Sequence, residues 1–365
     1  MRIVITGAAG FIGSHLAEAL LQGGHDVVGV DHIGHRPDRA IKEDNLREAL
    51  AHPRFRWTAA DLLALDLGAL IADADVVFHL AGIAGVRGSW GASFADYLDA
   101  NVLLTQKLLE ACKQSSSLKK LVYASSSSVY GGGVGAVMSE SSPTRPISPY
   151  GLTKLAGEQL CHVYYSQYGV PYTALRYFTV YGPRQRPDMG FHRFMKAALL
   201  GEPIPLYGDG NQTRDFTYVA DLVAANVAAM HYPKHGTVFN VGGVETASVN
   251  EVLAGIERLA GKPLAIERLP AQPGDPYVTR ADVALAQAEL GYKPAVPLAE
   301  GMARQWEYIV RLYGSGGGSG EAGGSGDASG SGGSAGSGDS GDAGDAGNSY
   351  DSGGSGSGGV SGVKR

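Results

Sequence analysis

Through the first half of the chain, short runs of β-branched and aliphatic residues alternate with longer segments whose apolar positions recur every three to four residues. Arg2–Thr6 (RIVIT) reads as a buried strand and Phe11–Gln22 as the helix that follows it. Asp26–Asp31 (DVVGVD), Val76–Ala81 (VVFHLA), Lys120–Ser125 (KLVYAS) and Tyr172–Tyr177 (YTALRY) read as further strands, with helical patterns near Asp96–Lys113 and Tyr150–Tyr168 between the later ones. Strands with little polar alternation, spaced by helices, predict a parallel sheet covered on both faces. Beyond Phe178 the pattern loosens into loops, with helices near His192–Leu200, Asp221–Met230 and Val249–Ala260, which predicts a smaller unit beside the sheet.

From Gly314 onward the chain is a different material, GSGGGSGEAGGSGDASGSGG and more of the same. With almost nothing apolar to bury, residues 314–365 cannot offset their chain entropy and are expected to be a disordered tail. The formal net charge is −6, and the tail carries six acids against two bases, so the remainder is close to neutral. That balance gives no electrostatic case for nucleic acid or an anionic membrane. No run reaches the roughly 18 apolar residues of a membrane span. The opening MRIVITGAAGFIG is interrupted by Thr6, Ser14 and His15, unlike a signal peptide. Cys112 and Cys161 sit in apolar helical patterns without disulfide or metal spacing, so no metal is expected and a reducing, cytoplasmic location fits.

Three motifs carry chemistry. Gly7, Gly10 and Gly13 lie between the first strand and its helix, where glycines permit a tight turn, close approach to a pyrophosphate and close helix packing. Asp31 ends the second strand, where a carboxylate can hold both ribose hydroxyls of NAD and repel the 2′-phosphate of NADP; Arg36 nearby keeps NADP open. Tyr150 and Lys154 are one helical turn apart, so phenol and ammonium share a face, and a cation favours the phenolate. Pro149 suits the start of that helix. Ser125–Tyr130 (SSSSVY) follows a strand, where a hydroxyl can reach a ligand in the crevice.

In this order the motifs resemble the extended short-chain dehydrogenase/reductase family, from Met1 to about Tyr313. Within it, SSSSVYG and RYFTVYGPRQRPDM look like the NAD-dependent nucleotide-sugar epimerases, above all the UDP-glucuronate 4-epimerases. The resemblance implies a Rossmann-type doubly wound α/β sheet over 1–177, rejoined by a segment about 215–245, and a smaller C-terminal α/β substrate-binding domain over 178–313. It implies Tyr150 as the base, Lys154 as its electrostatic partner and ribose ligand, and Ser126 as a hydroxyl on the reacting oxygen. Gly7, Gly10, Phe11, Ile12, Gly13, Asp31 and His32 would hold NAD, with Asp61 and Leu62 flanking the adenine. Leu80, Ala81 and Gly82 would line the pyrophosphate side, and Asn101 and Tyr177 would complete the cofactor set. A homodimer would pair the helices near Asp96–Lys113 and Tyr150–Tyr168.

Two positions separate relatives. Sugar-nucleotide 4,6-dehydratases carry Asp-Glu where this chain has Ser127-Ser128, and UDP-glucuronate decarboxylases keep a glutamate at Ser128; both acids are missing. UDP-galactose 4-epimerases usually place Asn where Thr179 stands. Arg214 and Arg87 resemble the family's ligands for the UDP diphosphate, leaving Arg186 to pair with a C6 carboxylate beside Thr179. Arg184 and Arg186 could instead be solvated loop charges or pack on the chain. Asp275 matches a position near the uridine ribose, although Gln272 stands where galactose epimerases often have arginine. The expected activity is C4 epimerisation of a UDP-hexuronic acid through a 4-keto sugar. A neutral-sugar epimerase, a decarboxylase and a non-catalytic dinucleotide-binding protein are the alternatives.

Overall fold

The computed structural model describes residues 1–33, 39–132, 137–271, 274 and 276–314. Arg36, Gln272, Asp275 and the tail beyond Gly314 lie outside the described residues.

Seven strands form one parallel sheet. They are β1 (Arg2–Thr6), β2 (Asp26–Asp31), β3 (Phe55–Ala59), β4 (Val76–His79), β5 (Lys120–Ser126), β6 (Tyr172–Tyr177) and a seventh, Thr237–Val241. Their order is β3-β2-β1-β4-β5-β6-seventh, so the chain reverses direction across the sheet between β1 and β4. This is the doubly wound Rossmann arrangement, whose ligand crevice opens at the carboxyl ends of the strands flanking that switch point.

Residues of β1 alternate between two cores, as the period of a strand requires. Ile3 and Ile5 pack with Leu16 and Leu20 of α1 (Phe11–Gln22) and Leu222 of helix Val219–His231. Val4 packs on the other face with Leu108 of helix Leu104–Gln114 and Cys161 of helix Pro149–Tyr168. Both faces are therefore dry, which is why these strands read as continuous apolar runs. Cys112 and Cys161 are buried and unpaired thiols.

The helix expected across Asp96–Lys113 is interrupted: Phe94–Leu98 and Leu104–Gln114 are α-helical, and Asp99–Leu103 between them is a π turn. Within that turn Asn101 is buried and its side chain bonds both the amide and the carbonyl of Ile83 in the loop after β4. Beyond β6, short strand pairs join Val180–Tyr181 to Thr217–Tyr218, Ile204–Tyr207 to Ile266–Leu269, and Thr213–Asp215 to Thr246–Ser248. Helices Gly190–Leu200, Val249–Ala260 and Leu298–Tyr313 pack with them. Arg186 of this smaller α/β part reaches the Ala84 carbonyl in the loop that follows the carboxyl end of β4.

Candidate active site

The glycine turn after β1 is built from missing side chains. Gly7 has φ 78°, and a Cβ there would lie 2.8 Å from the Ala81 amide nitrogen at the end of β4. A Cβ on Gly13 would lie 2.1 Å from the Gly7 carbonyl oxygen, so α1 can approach the turn only with glycine there. Gly10 is the N-cap of α1 and offers no side-chain cap, leaving the first amides, those of Phe11 and Ile12 included, to an anion. Asp31 at the end of β2 accepts the Ala9 amide at 3.1 Å and pairs with Lys42 at 3.1 Å; Lys42 also reaches the carbonyl of exposed His32. Asp61 closes a turn on the Leu63 amide, and Leu62 is buried in the core that includes Val28 and Val30 of β2. These features fit a dinucleotide.

The far wall is held by a directional chain. The Ala81 amide donates to Thr6 Oγ1 at 3.2 Å, and Thr6 Oγ1 lies 2.8 Å from His79 Nδ1. His79 Nε2 lies 3.0 Å from Thr105 Oγ1, which donates to the Asn101 carbonyl at 2.7 Å. Because the Thr105 proton goes to that carbonyl, Nε2 carries the imidazole hydrogen and Nδ1 accepts from Thr6. Burial, then the nearby Lys154 charge, pushes the His79 pKa down to about 3, so the ring is neutral. Asn101 in turn takes the Ile83 amide and gives to the Ile83 carbonyl, both at 2.9 Å, and donates to Thr153 at 3.0 Å. A Cβ at Gly82 would sit 2.5 Å from its Oδ1. Asn101 thus sets the course of Leu80, Ala81 and Gly82 from within the π turn, a device often found at functional sites.

Tyr150, Lys154 and Glu158 occupy one face of helix Pro149–Tyr168. Ser148 caps that helix by accepting the Gly151 amide at 3.1 Å, and Pro149 is its first residue. Gly151 lets the helix start rest on the Ser128 carbonyl, 2.5 Å from where a Cβ would be. The Tyr150 phenol is buried, which raises its pKa; a hydrogen bond from Ser126 and the charge of Arg186 pull it back. Ser126 ends β5, accepts the Ser128 amide at 3.2 Å and lies 3.2 Å from the Ser128 hydroxyl. Ser127 and Ser128 form the half-buried turn after it. Lys154 is buried with its ammonium 5.2 Å from the Tyr123 ring centre, and burial pushes its pKa down to about 8.

The arginines differ. Arg184 packs on the chain, pairing with Glu18 of α1 at 2.7 Å. Arg186 makes two bonds to Asp188, at 2.9 and 2.7 Å, and one to the Ala84 carbonyl at 3.2 Å, while its charge acts on Tyr150 and Tyr97. Arg87 stacks over the Tyr207 ring at 4.2 Å, and Arg214 reaches the carbonyls of Thr213 and Tyr277 at 2.8 and 3.2 Å. Thr179 is half-buried, its carbonyl accepting the Thr217 amide at 2.9 Å. Tyr177 turns its phenol into the core, donating to Asn226 at 2.7 Å. Among the described residues no group of side chains is arranged to hold a metal ion, and no helix is long and apolar enough to cross a membrane.

The family model described as NAD dependent epimerase/dehydratase matches residues 3–242. The chain belongs to that family. It is 46% identical to an uncharacterized UDP-glucose epimerase, YtcB of Bacillus subtilis, over 86% of this chain and 99% of that one. A crystal structure of the UDP-glucuronic acid 4-epimerase of Bacillus cereus with UDP-glucuronic acid and NAD is 46% identical, with TM-score 0.83 over 86% and 100% of the two chains. MoeE5, solved with NAD and either UDP-glucuronic acid or UDP-glucose, is 43% identical with TM-score 0.77 over 85% and 99%. The epimerase is an isomerase that uses NAD to invert C4 of UDP-sugars.

Several groups at this site carry no sequence signal of their own. Lys42 on Asp31, Asp188 on Arg186 and Tyr97 against Tyr150 (ring centres 6.3 Å apart, edge to face) are brought there by the fold. Glu158 was the one within reach, since it continues the Tyr150–Lys154 spacing by another turn.

Proposed function

We propose that the epimerase interconverts UDP-glucuronate and UDP-galacturonate. The observation that carries this reading is Arg186, a guanidinium about one-third exposed that acts on the Tyr150 phenol. An anion meeting it would lie beside the group that reacts with C4, where the C6 carboxylate of a hexuronate belongs. Thr179 and the hydroxyls of Ser127 and Ser128, standing in place of the acids of dehydratases and decarboxylases, support the same assignment. Residues 178–313 would form most of the sugar-nucleotide site, with Arg87, Arg214 and Asp275 on the UDP portion.

Bound NAD accepts a hydride from C4 and returns it to the opposite face. Gly7, Gly10, Phe11, Ile12 and Gly13 would hold its pyrophosphate, Asp31 a ribose, and Asp61 and Leu62 the adenine. Tyr150 takes the C4 hydroxyl proton as the hydride leaves, and Ser126 steadies the phenol and the sugar oxygen. Lys154 and Arg186 favour the phenolate against the burial that opposes it. After the 4-keto sugar rotates, Tyr150 gives the proton back and the inverted alcohol results. The transient ketone is a β-keto acid, which loses carbon dioxide when the carboxylate bond stands perpendicular to the carbonyl plane. Arg186 and Thr179 would hold it away from that alignment.

Incubating the enzyme with UDP-glucuronate, without added NAD, and separating the products tests the reading. UDP-galacturonate is expected; a UDP-pentose or unchanged substrate would overturn it. Arg186→Ala should raise the KM for UDP-glucuronate by about tenfold or more, the scale of a lost charge-assisted pair. A neutral-sugar epimerase is the second reading, favoured by Asp188, which already engages the guanidinium at Nε and Nη2. It predicts equal KM values for UDP-glucose before and after the same substitution, with no preference for the uronate.

The epimerase would act as a homodimer in a reducing, cytoplasmic setting, which the buried thiols suit. Leu152 and Val163 lie three turns apart on one face of helix Pro149–Tyr168, about half exposed, with Leu103 exposed on the neighbouring segment. Light scattering should give twice the chain mass, and Leu152→Glu should halve it; a monomer before the change removes the proposal.

A further inference from the structure

The segment Gly182–Arg186 is fastened on two sides by buried polar groups. On one side, Gln185 is 1% exposed; its Nε2 donates to the Val180 carbonyl at 2.9 Å and its Oε1 accepts the His192 amide at 3.0 Å. The same oxygen accepts Nε2 of Gln305 at 2.9 Å, from the last helix, Leu298–Tyr313. Gln305 is fully buried, and its Oε1 accepts the Gly182 amide at 2.8 Å. Each amide therefore has its donor and acceptor ends fixed by partners that cannot exchange roles. His192 Nδ1 stands 2.6 Å from the Gln185 carbonyl, which can only accept, so Nδ1 carries the proton. In the neutral ring, Nε2 then accepts from the Tyr313 hydroxyl at 2.9 Å, again on the last helix.

On the other side the fastening is to α1. His15 Nε2 donates to the Pro183 carbonyl at 3.0 Å, and Arg184 pairs with Glu18. Between these holds, Arg184 has φ 65°, the one positive φ outside glycine among the described residues. Such a conformation crowds the Cβ against the backbone and persists where the surroundings leave the chain no alternative. The next residue but one is Arg186.

We infer that Gln185 and Gln305 are positioning residues, which fix the Arg186 guanidinium beside the hexose so that the last helix sets the discrimination between acidic and neutral sugars. The inference rests on the reading that Arg186 meets the C6 carboxylate. Two amides that only satisfied one another would affect stability and nothing else. Here they hold the main chain on both sides of Pro183 and Arg184, and loosening them moves the origin of the Arg186 side chain.

The test uses the full chain with its bound NAD, and dissociation constants for UDP-glucuronate and UDP-glucose, which need no turnover. Gln305→Met is expected to weaken UDP-glucuronate binding by about tenfold, the scale of a small misplacement, with UDP-glucose changed less than about twofold and NAD content unaltered. In an Arg186→Ala background the same substitution should add nothing to the loss. Gln305→Asn, one methylene shorter, should give a smaller loss with the same selectivity and covers the case in which the methionine variant does not fold. Equal weakening of both sugars, or a loss that adds to that of Arg186→Ala, overturns the inference. If Arg186→Ala itself leaves UDP-glucuronate binding unchanged, the carboxylate reading fails instead, so the two failures are distinct.

Discussion

Lys154 shows how a buried ammonium can be a liability to the fold. Its ammonium is buried, with the Tyr123 ring below it, and its pKa falls from 10.5 to about 8. A folded value below the unfolded one means that the fold disfavours the proton. The charged form then costs stability at neutral pH, by roughly 3 kcal/mol for a shift of this size, and the cost fades as pH rises from about 8 to 10.5. Lys154→Met should therefore abolish most turnover while raising the thermal midpoint of the NAD-free protein at pH 7. The gap between the two midpoints should close as pH approaches 10.5, and a variant less stable at pH 7 would contradict this. The placement of Tyr150 and Lys154 on one helix face was legible because their one-turn spacing is local. The engagement of Arg186 by Asp188 was not: the sequence placed a guanidinium in the loop without saying which of its edges the chain itself would occupy.

At the scale of elements, the five strands read from apolar runs are all present, because a strand dry on both faces leaves an unbroken apolar string. Where the reading failed, the reasons are physical. The strand pairs beyond Phe178 are two to four residues long, shorter than any period can register. The π turn at Asp99–Leu103 carries Asn101, whose side chain bonds Ile83, a partner distant in sequence that periodicity cannot anticipate. The Tyr150 helix is also seated by a contact invisible in its own pattern. Arg176 of β6 makes a two-point bond to Glu158, at 2.9 and 2.7 Å, and reaches the Tyr130 hydroxyl at 2.8 Å. Ser125, one residue before Ser126, donates to the same Glu158 carboxylate. The strand end carrying the hydroxyl and the helix carrying the phenol are thereby joined through one buried ion pair. Such pairs fix geometry more than they stabilise.

For the molecule as a whole, the relevant feature is where the seventh strand comes from. The chain leaves the sheet after β6, builds helix Gly190–Leu200 and the pair of Val180–Tyr181 with Thr217–Tyr218, then returns as Thr237–Val241 to lie against β6 before it completes the other two pairs. Asn240 of that strand accepts the Tyr130 hydroxyl at 2.7 Å, the same hydroxyl that receives Arg176. A fragment ending at Tyr177 would bare β6 along its full length and strand the Arg176–Tyr130 network without its outer partner. Expressed alone, residues 1–177 should aggregate or lack a cooperative melting transition, whereas the chain ended at Gly314 should melt as the full one does. A soluble, cooperatively melting short fragment would refute this. The sheet and the part beyond it are in that sense not two bricks laid side by side; the thread that finishes the first has already run through the opening of the second, and a cut between them severs both.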